Sequence, residues 1–177
     1  SWVLEHIDGL ALFFNWVYII TYWPIIALVG LALYFSNRSQ YYYFRSVVLI
    51  NLILALLIFM LFPVTSPFNI TEYFVNTIQT LGPSAYGSAD MGSYYNTNAA
   101  MPSLHFRWMV ILGVVFVRRL KGWFKPLALL YPAATFFAIT ITGNHFILDA
   151  IAGGLLAGLA FAVMELGFRP NVFRGHL

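Results

Sequence analysis

Two histidines stand forty positions apart in this chain, each in a setting that chemistry can use. His145 is followed four positions later, one helical turn on, by Asp149. At that spacing a carboxylate can accept the imidazole Nδ1–H and leave Nε2 as a nucleophile. An acid near a helix start also suits capping, because it meets the positive end of the helix dipole, so the pair alone leaves both roles open. His105 closes the run Met101-Pro102-Ser103-Leu104-His105. Proline suits the first turn of a helix, the amides after it can bind an anion, and Ser103 adds a hydroxyl.

The elements that must position these residues are apolar. The chain has 61% hydrophobic and 8% charged residues and a mean hydropathy of +0.81, against roughly 25% charged residues in a soluble domain. Five apolar runs are legible, Gly9 to Phe35, Ser46 to Phe62, Leu104 to Val117, Pro126 to Thr142 and Phe146 to Leu166. Each predicts a membrane helix, the third short against the roughly 20 residues that a span needs. Pro24 and Pro132 predict kinks in the first and fourth. The expected fold is therefore all-α, a polytopic transmembrane bundle forming one domain over 1–177. Residues 63–103 form the one long loop, with short interfacial helices expected over 70–81 and 94–100. The absence of cysteine excludes disulfides, thiolate metal sites and a cysteine nucleophile.

Charge orients the bundle. Arg38, Arg45, Arg118, Arg119, Lys121, Lys125, Arg169 and Arg174 all fall on one predicted side, and Glu5, Asp8, Glu72 and Asp90 on the other. Cytoplasmic loops carry the excess of Lys and Arg. The expectation is an integral membrane protein with a cytoplasmic C-terminus, both histidines facing the extracytoplasmic side, and the 63–103 loop over them. Five spans then put Ser1 outside, and a sixth helix before Ser1 is expected in the intact protein, with a five-helix arrangement as the alternative. Tyr41, Tyr42 and Tyr43 suit an interfacial belt, and Gly153, Gly154 and Gly158 suit close helix packing.

Pro102-Ser103-Leu104-His105, followed by Gly143-Asn144-His145-Phe146-Ile147-Leu148-Asp149 and Ala150-Ile151-Ala152-Gly153, resembles the type-2 phosphatidic acid phosphatase superfamily. The Pro-Ser-Leu-His form, together with Phe62-Pro63-Val64-Thr65-Ser66-Pro67 before the long loop, is similar to the branch containing inositol phosphorylceramide synthase. The resemblance implies six helices, no metal or other cofactor, and a phosphohistidine route. His145 attacks phosphorus, Asp149 holds its tautomer, and His105 protonates the departing oxygen before serving as base towards water or an alcohol. The implied substrate is a lipid phosphate or phospholipid, with an alcohol such as inositol as a possible acceptor, membrane lipids as surroundings and no nucleic acid partner.

The chain departs from the superfamily in its basic residues. The Lys and Arg of the first motif and the Ser-Arg of the third have no counterpart, and Ile139 and Thr140 stand near the latter's place. Phosphoryl transfer needs charge stabilisation on the equatorial oxygens. Arg107 is the arginine near the outer face and the candidate phosphate clamp, although it lies about 200° around the helix from His105. Binding lipid head groups or pairing with Glu72 or Asp90 is its alternative role. Ser103, Thr142 and Asn144 are the other candidate substrate donors. Two readings from other classes remain: a metal-dependent hydrolase in which His105, His145 and Asp149 ligate a metal, and a transporter or assembly subunit without catalysis.

Overall fold

The computed structural model of the chain describes residues 8–20, 22–70 and 100–167. Its regular elements there are all helical: α1 Asp8–Ile20, α2 Tyr22–Ser36, α3 Arg38–Leu61, α4 Leu104–Arg119, α5 Leu127–Ile141 and α6 Ile147–Gly167, with single 3₁₀ turns at Pro67–Asn69 and Gly122–Phe124. The interfacial helices expected over 70–81 and 94–100, and Glu72 and Asp90, lie outside the described residues apart from Ile70 and Ala100.

The first apolar run divides in two. The kink expected at Pro24 falls instead between α1 and α2, and the segments Leu12–Tyr18 and Tyr22–Ser36 are bent by 44°. A proline ring collides with the carbonyl four residues before it, here that of Ile20, the last residue of α1. Within α2, Pro24 occupies the first turn, where no amide is needed. Pro132 stays inside α5. A Cβ on Gly113 of α4 would lie 2.8 Å from the Pro132 ring and 3.2 Å from the Ala128 carbonyl, the one Pro132 leaves without its helical donor. Gly113 thus makes room where α5 is irregular.

α3 begins eight residues before its apolar run, because the Asn37 side chain caps it by accepting from the Gln40 amide at 3.0 Å. α4 lies between α5 and α6 and also touches α2 and α3, while α1 packs on α5. Val47, Met109, Leu112, Ala157 and Ala160 are buried between these helices. Leu28, Leu57, Leu129 and Leu155 point outward, an arrangement suited to lipid rather than water. α3, α6 and the stretch Gly122–Ile141 are long and apolar enough to span a bilayer, and the bent pair makes four. α4, at 16 residues, is shorter than the roughly 20 of a full span. The chain is an all-α membrane protein.

The two ends of the bundle differ. At one, Arg118 of α4 donates to the Tyr43 hydroxyl of α3 at 2.9 Å and pairs with Glu165 of α6, to which the Tyr43 hydroxyl also donates at 3.0 Å. That tie gathers the start of α3 and the ends of α4 and α6. The opposite end collects the start of α4, the α5–α6 link and both described edges of the long loop.

Candidate active site

His145 owes its position to a tight turn. Gly143 adopts a left-handed φ of 70° just after α5, a conformation that glycine takes without steric penalty. The chain then folds back so that the His145 amide donates to the Ile139 carbonyl at 3.1 Å. Within this turn the Thr142 hydroxyl donates to the Ala138 carbonyl at 2.6 Å and accepts from Asn144 Nδ2 at 2.8 Å. Both residues, expected as substrate donors, spend those donors on the turn itself. The buried Asn144 Oδ1, an acceptor, has no hydrogen-bond partner among the described residues.

The imidazole of His145 is held by the backbone. Its Nδ1 lies 2.9 Å from the Ala100 carbonyl oxygen and 3.6 Å from Asp149 Oδ2. The hydrogen bond expected to Asp149 therefore goes to Ala100, and the Asp149 carboxylate is turned to the helix start, where its Oδ2 accepts from the Phe146 amide at 2.8 Å. Asp149 is the third residue of α6 and reaches back to the residue before the helix, half of a capping box. Capping and proximity to the imidazole, read as alternatives from spacing, coexist. A carbonyl can only accept, so Nδ1 carries the proton, and in a neutral ring Nε2 keeps the lone pair.

Ala100 is fixed in turn. Its amide donates to the Val64 carbonyl at 2.9 Å, joining the two described edges of the loop. Three residues on, the Ser103 amide donates to the Asp149 carbonyl at 3.0 Å. The residues before α4 are thus bound to both the loop and α6. Ser103 is the N-cap of α4, its hydroxyl oxygen accepting from the Phe106 amide at 3.3 Å. Pro102 precedes the cap rather than occupying the first turn, and His105 is the second helical residue. Close packing allows this: a Cβ on Gly153 of α6 would meet the Ser103 carbonyl oxygen at 2.9 Å. Gly154 lies near Phe106, whereas Gly158 faces open space.

These constraints bring the two histidine rings to a centroid separation of 6.2 Å, inclined at 56°. His105 lies flat against Tyr18 of α1 at 3.9 Å and meets Tyr22 of α2 edgewise at 4.4 Å. Arg107 projects elsewhere on α4. Its Cβ faces Gly153, its guanidinium carbon is 5.9 Å from the Phe59 ring centre, and the residue is 0% exposed. None of its three guanidinium nitrogens has a hydrogen-bond partner among the described residues. No three His, Cys, Asp or Glu side chains there converge as metal ligands.

A family model described as the PAP2 superfamily matches residues 1–163. The chain belongs to the PAP2 superfamily. Membership in the PAP2 superfamily supports phosphatase-type chemistry on a lipid phosphate, in keeping with the apolar helices of an integral membrane protein. No curated protein and no solved structure matches the chain. Within this PAP2 member, sequence reasoning passed over Tyr18, Tyr22 and the Ala100 carbonyl. Two tyrosines one helical turn apart inside an apolar run carried a signal; a backbone carbonyl leaves none.

Proposed function

We propose that the chain is a lipid phosphatase or lipid phosphotransferase that works through a phosphohistidine at the extracytoplasmic surface, without a metal. The observation that carries this reading is the His145 tautomer: with Nδ1–H donating to the Ala100 carbonyl at 2.9 Å, the Nε2 lone pair is available, and His105 stands 6.2 Å away, ring centre to ring centre.

Nε2 of His145 attacks phosphorus, and as the N–P bond forms the P–O bond to the leaving group breaks. Its electron pair goes to the leaving oxygen, which takes a proton from His105. Water or an alcohol such as inositol then attacks phosphorus, giving its proton to His105, and the N–P electron pair returns to Nε2. Asp149, 3.6 Å from Nδ1, balances the positive charge that the His145 ring carries in between. The Leu104 and His105 amides, which precede any intrahelical acceptor, are donors for phosphate oxygens. Arg107 is the proposed countercharge: its buried guanidinium has no hydrogen-bond partner among the described residues, and a phosphate is the anion this chemistry brings. Ser103, Thr142 and Asn144 shape the pocket chiefly through the cap and turn they build.

The test is a thin-layer assay of purified protein in chelator, with labelled lipid phosphates, with and without inositol, alongside His145→Ala. Phosphate release lost by roughly 10³-fold or more in the variant supports the reading. Label appearing in a new lipid makes the enzyme a transferase. Equal turnover in His145→Ala, or activity that needs an added divalent metal, would overturn it.

A further inference from the structure

The surroundings of His105 are aromatic. Tyr18 stacks on the ring at 3.9 Å with 25° between planes, and Tyr22 meets it at 4.4 Å and 63°. Tyr22 is braced by Trp108 at 6.3 Å, and Trp108 by Trp23 at 5.2 Å. These tyrosines come from α1 and α2, on either side of the helix break, whereas the two histidine motifs come from α4 and α6 and the segments just before them. Among the described residues, the charged or titratable groups that act on His105 besides these tyrosines are His145, at 6.2 Å in the α5–α6 link, and Arg107 on its own helix; Asp149 of α6 lies against His145 and is held by the Phe146 amide.

A general acid must hold its proton until the leaving oxygen takes it. For a partly buried imidazole, with a guanidinium nearby and no carboxylate hydrogen-bonded to it among the described residues, that form is disfavoured. A π face at stacking distance opposes the penalty, because the ring quadrupole attracts a cation. Resting on the reading above, in which His105 is the acid, we propose that Tyr18 and Tyr22 are positioning residues for its proton transfer. Tyr22 holds the plane of the imidazole ring, and the face of Tyr18 stabilises its protonated form. The proton passes from His105 to the leaving oxygen as the P–O bond breaks; the tyrosines exchange neither proton nor electrons.

The experiment is the pH dependence of kcat for the full chain in lipid nanodiscs, with a labelled lipid phosphate, comparing wild type, Tyr18→Phe and Tyr18→Leu. Tyr18→Phe keeps the π face and leaves the basic limb in place. Tyr18→Leu moves that limb to lower pH by roughly half to one unit, so that turnover falls about 3- to 10-fold on the alkaline side and approaches wild type on the acid side. A uniform loss at every pH, with the limb unmoved, overturns the proposal. Should Tyr18→Leu fail to fold, fluorinated phenylalanines at position 18 keep the shape and weaken the quadrupole; the limb then falls stepwise with fluorine number, and a constant limb is the contrary result. Tyr22→Leu lowers kcat at unchanged KM and Tyr22→Phe restores it; a rise in KM alone would remove Tyr22 from the proposal. His105→Ala separates the two levels of inference. Wild-type turnover in that variant defeats the assignment of the acid, whereas an inactive variant combined with an unmoved limb in Tyr18→Leu defeats only the role of the tyrosines.

Discussion

The spacing of His145 and Asp149 lets the acid orient the base, and here the orienting bond comes from Ala100 instead. The difference has a measurable consequence. Asp149→Asn leaves the Nδ1 proton held by the carbonyl, so kcat is expected to fall by about 10- to 100-fold, well short of the loss in His145→Ala, with stability lowered by about 1 kcal/mol because a neutral amide caps α6 less well. Steady-state kinetics and thermal unfolding of the variant check both parts. Arg107 behaves in the opposite sense. A guanidinium buried with no hydrogen-bond partner among the described residues opposes folding, and under the proposed function the substrate phosphate is its complement. Arg107→Leu is therefore expected to raise the unfolding midpoint while lowering kcat/KM by roughly 10²-fold. A variant that is both less stable and fully active would show that Arg107 supports the fold and leaves phosphate alone.

At the scale of elements, the site depends on how closely α6 approaches the start of α4. Gly153 permits that approach, since any Cβ there would press on the Ser103 carbonyl at 2.9 Å. Backbone cannot yield as a flexible side chain does, so the helices must move apart, at a cost of about 1–3 kcal/mol. Gly153→Ala is expected to lose that stability and to lower kcat about 10-fold, because the Ser103–Asp149 backbone bond and the spacing of the histidines move with it. Gly158→Ala, where nothing lies within 4 Å, is the control and is expected to be neutral or slightly stabilising. Melting curves and kinetics of the two variants separate packing from a general intolerance of α6 to alanine. Gly113 shows the same device at the Pro132 irregularity of α5, where a small residue on one helix admits an awkward turn on another.

For the whole molecule, two ends with different chemistry are tied to two predicted sides of a membrane. The Tyr43–Arg118–Glu165 tie lies at the end where Arg38, Arg45, Arg119, Lys121 and Lys125 also gather in sequence. The histidines occupy the other end. The extracytoplasmic placement proposed for that end rests on the positive-inside rule and is open to direct test. In sealed right-side-out vesicles, a membrane-impermeant, water-soluble phosphate ester should be turned over without detergent, and inverted vesicles should require permeabilisation. The reverse pattern would place the reaction on the cytoplasmic side.

The amino-acid sequence by itself determined the solvent, the all-helical class and most helix positions, because these follow from composition and local order. Leu104 to Val117 became α4 and Phe146 to Leu166 became α6 within a few residues. The four-residue interval from His145 to Asp149 is also local and survives any packing of the chain. What the tertiary structure decided is everything that depends on residues far apart in sequence meeting in space. The Ala100 carbonyl accepts the Nδ1–H hydrogen bond across forty-five positions. Tyr18 reaches His105 only because α1 and α2 separate ahead of Pro24 and fold against the bundle. Arg107 lies inside the bundle, not against lipid, because Gly153 lets α6 close over it. Helical periodicity can state the angle between two side chains on one helix. It says nothing of which neighbour fills the space at that angle, and here those neighbours set the His145 tautomer, the aromatic contacts of His105 and the burial of the Arg107 guanidinium.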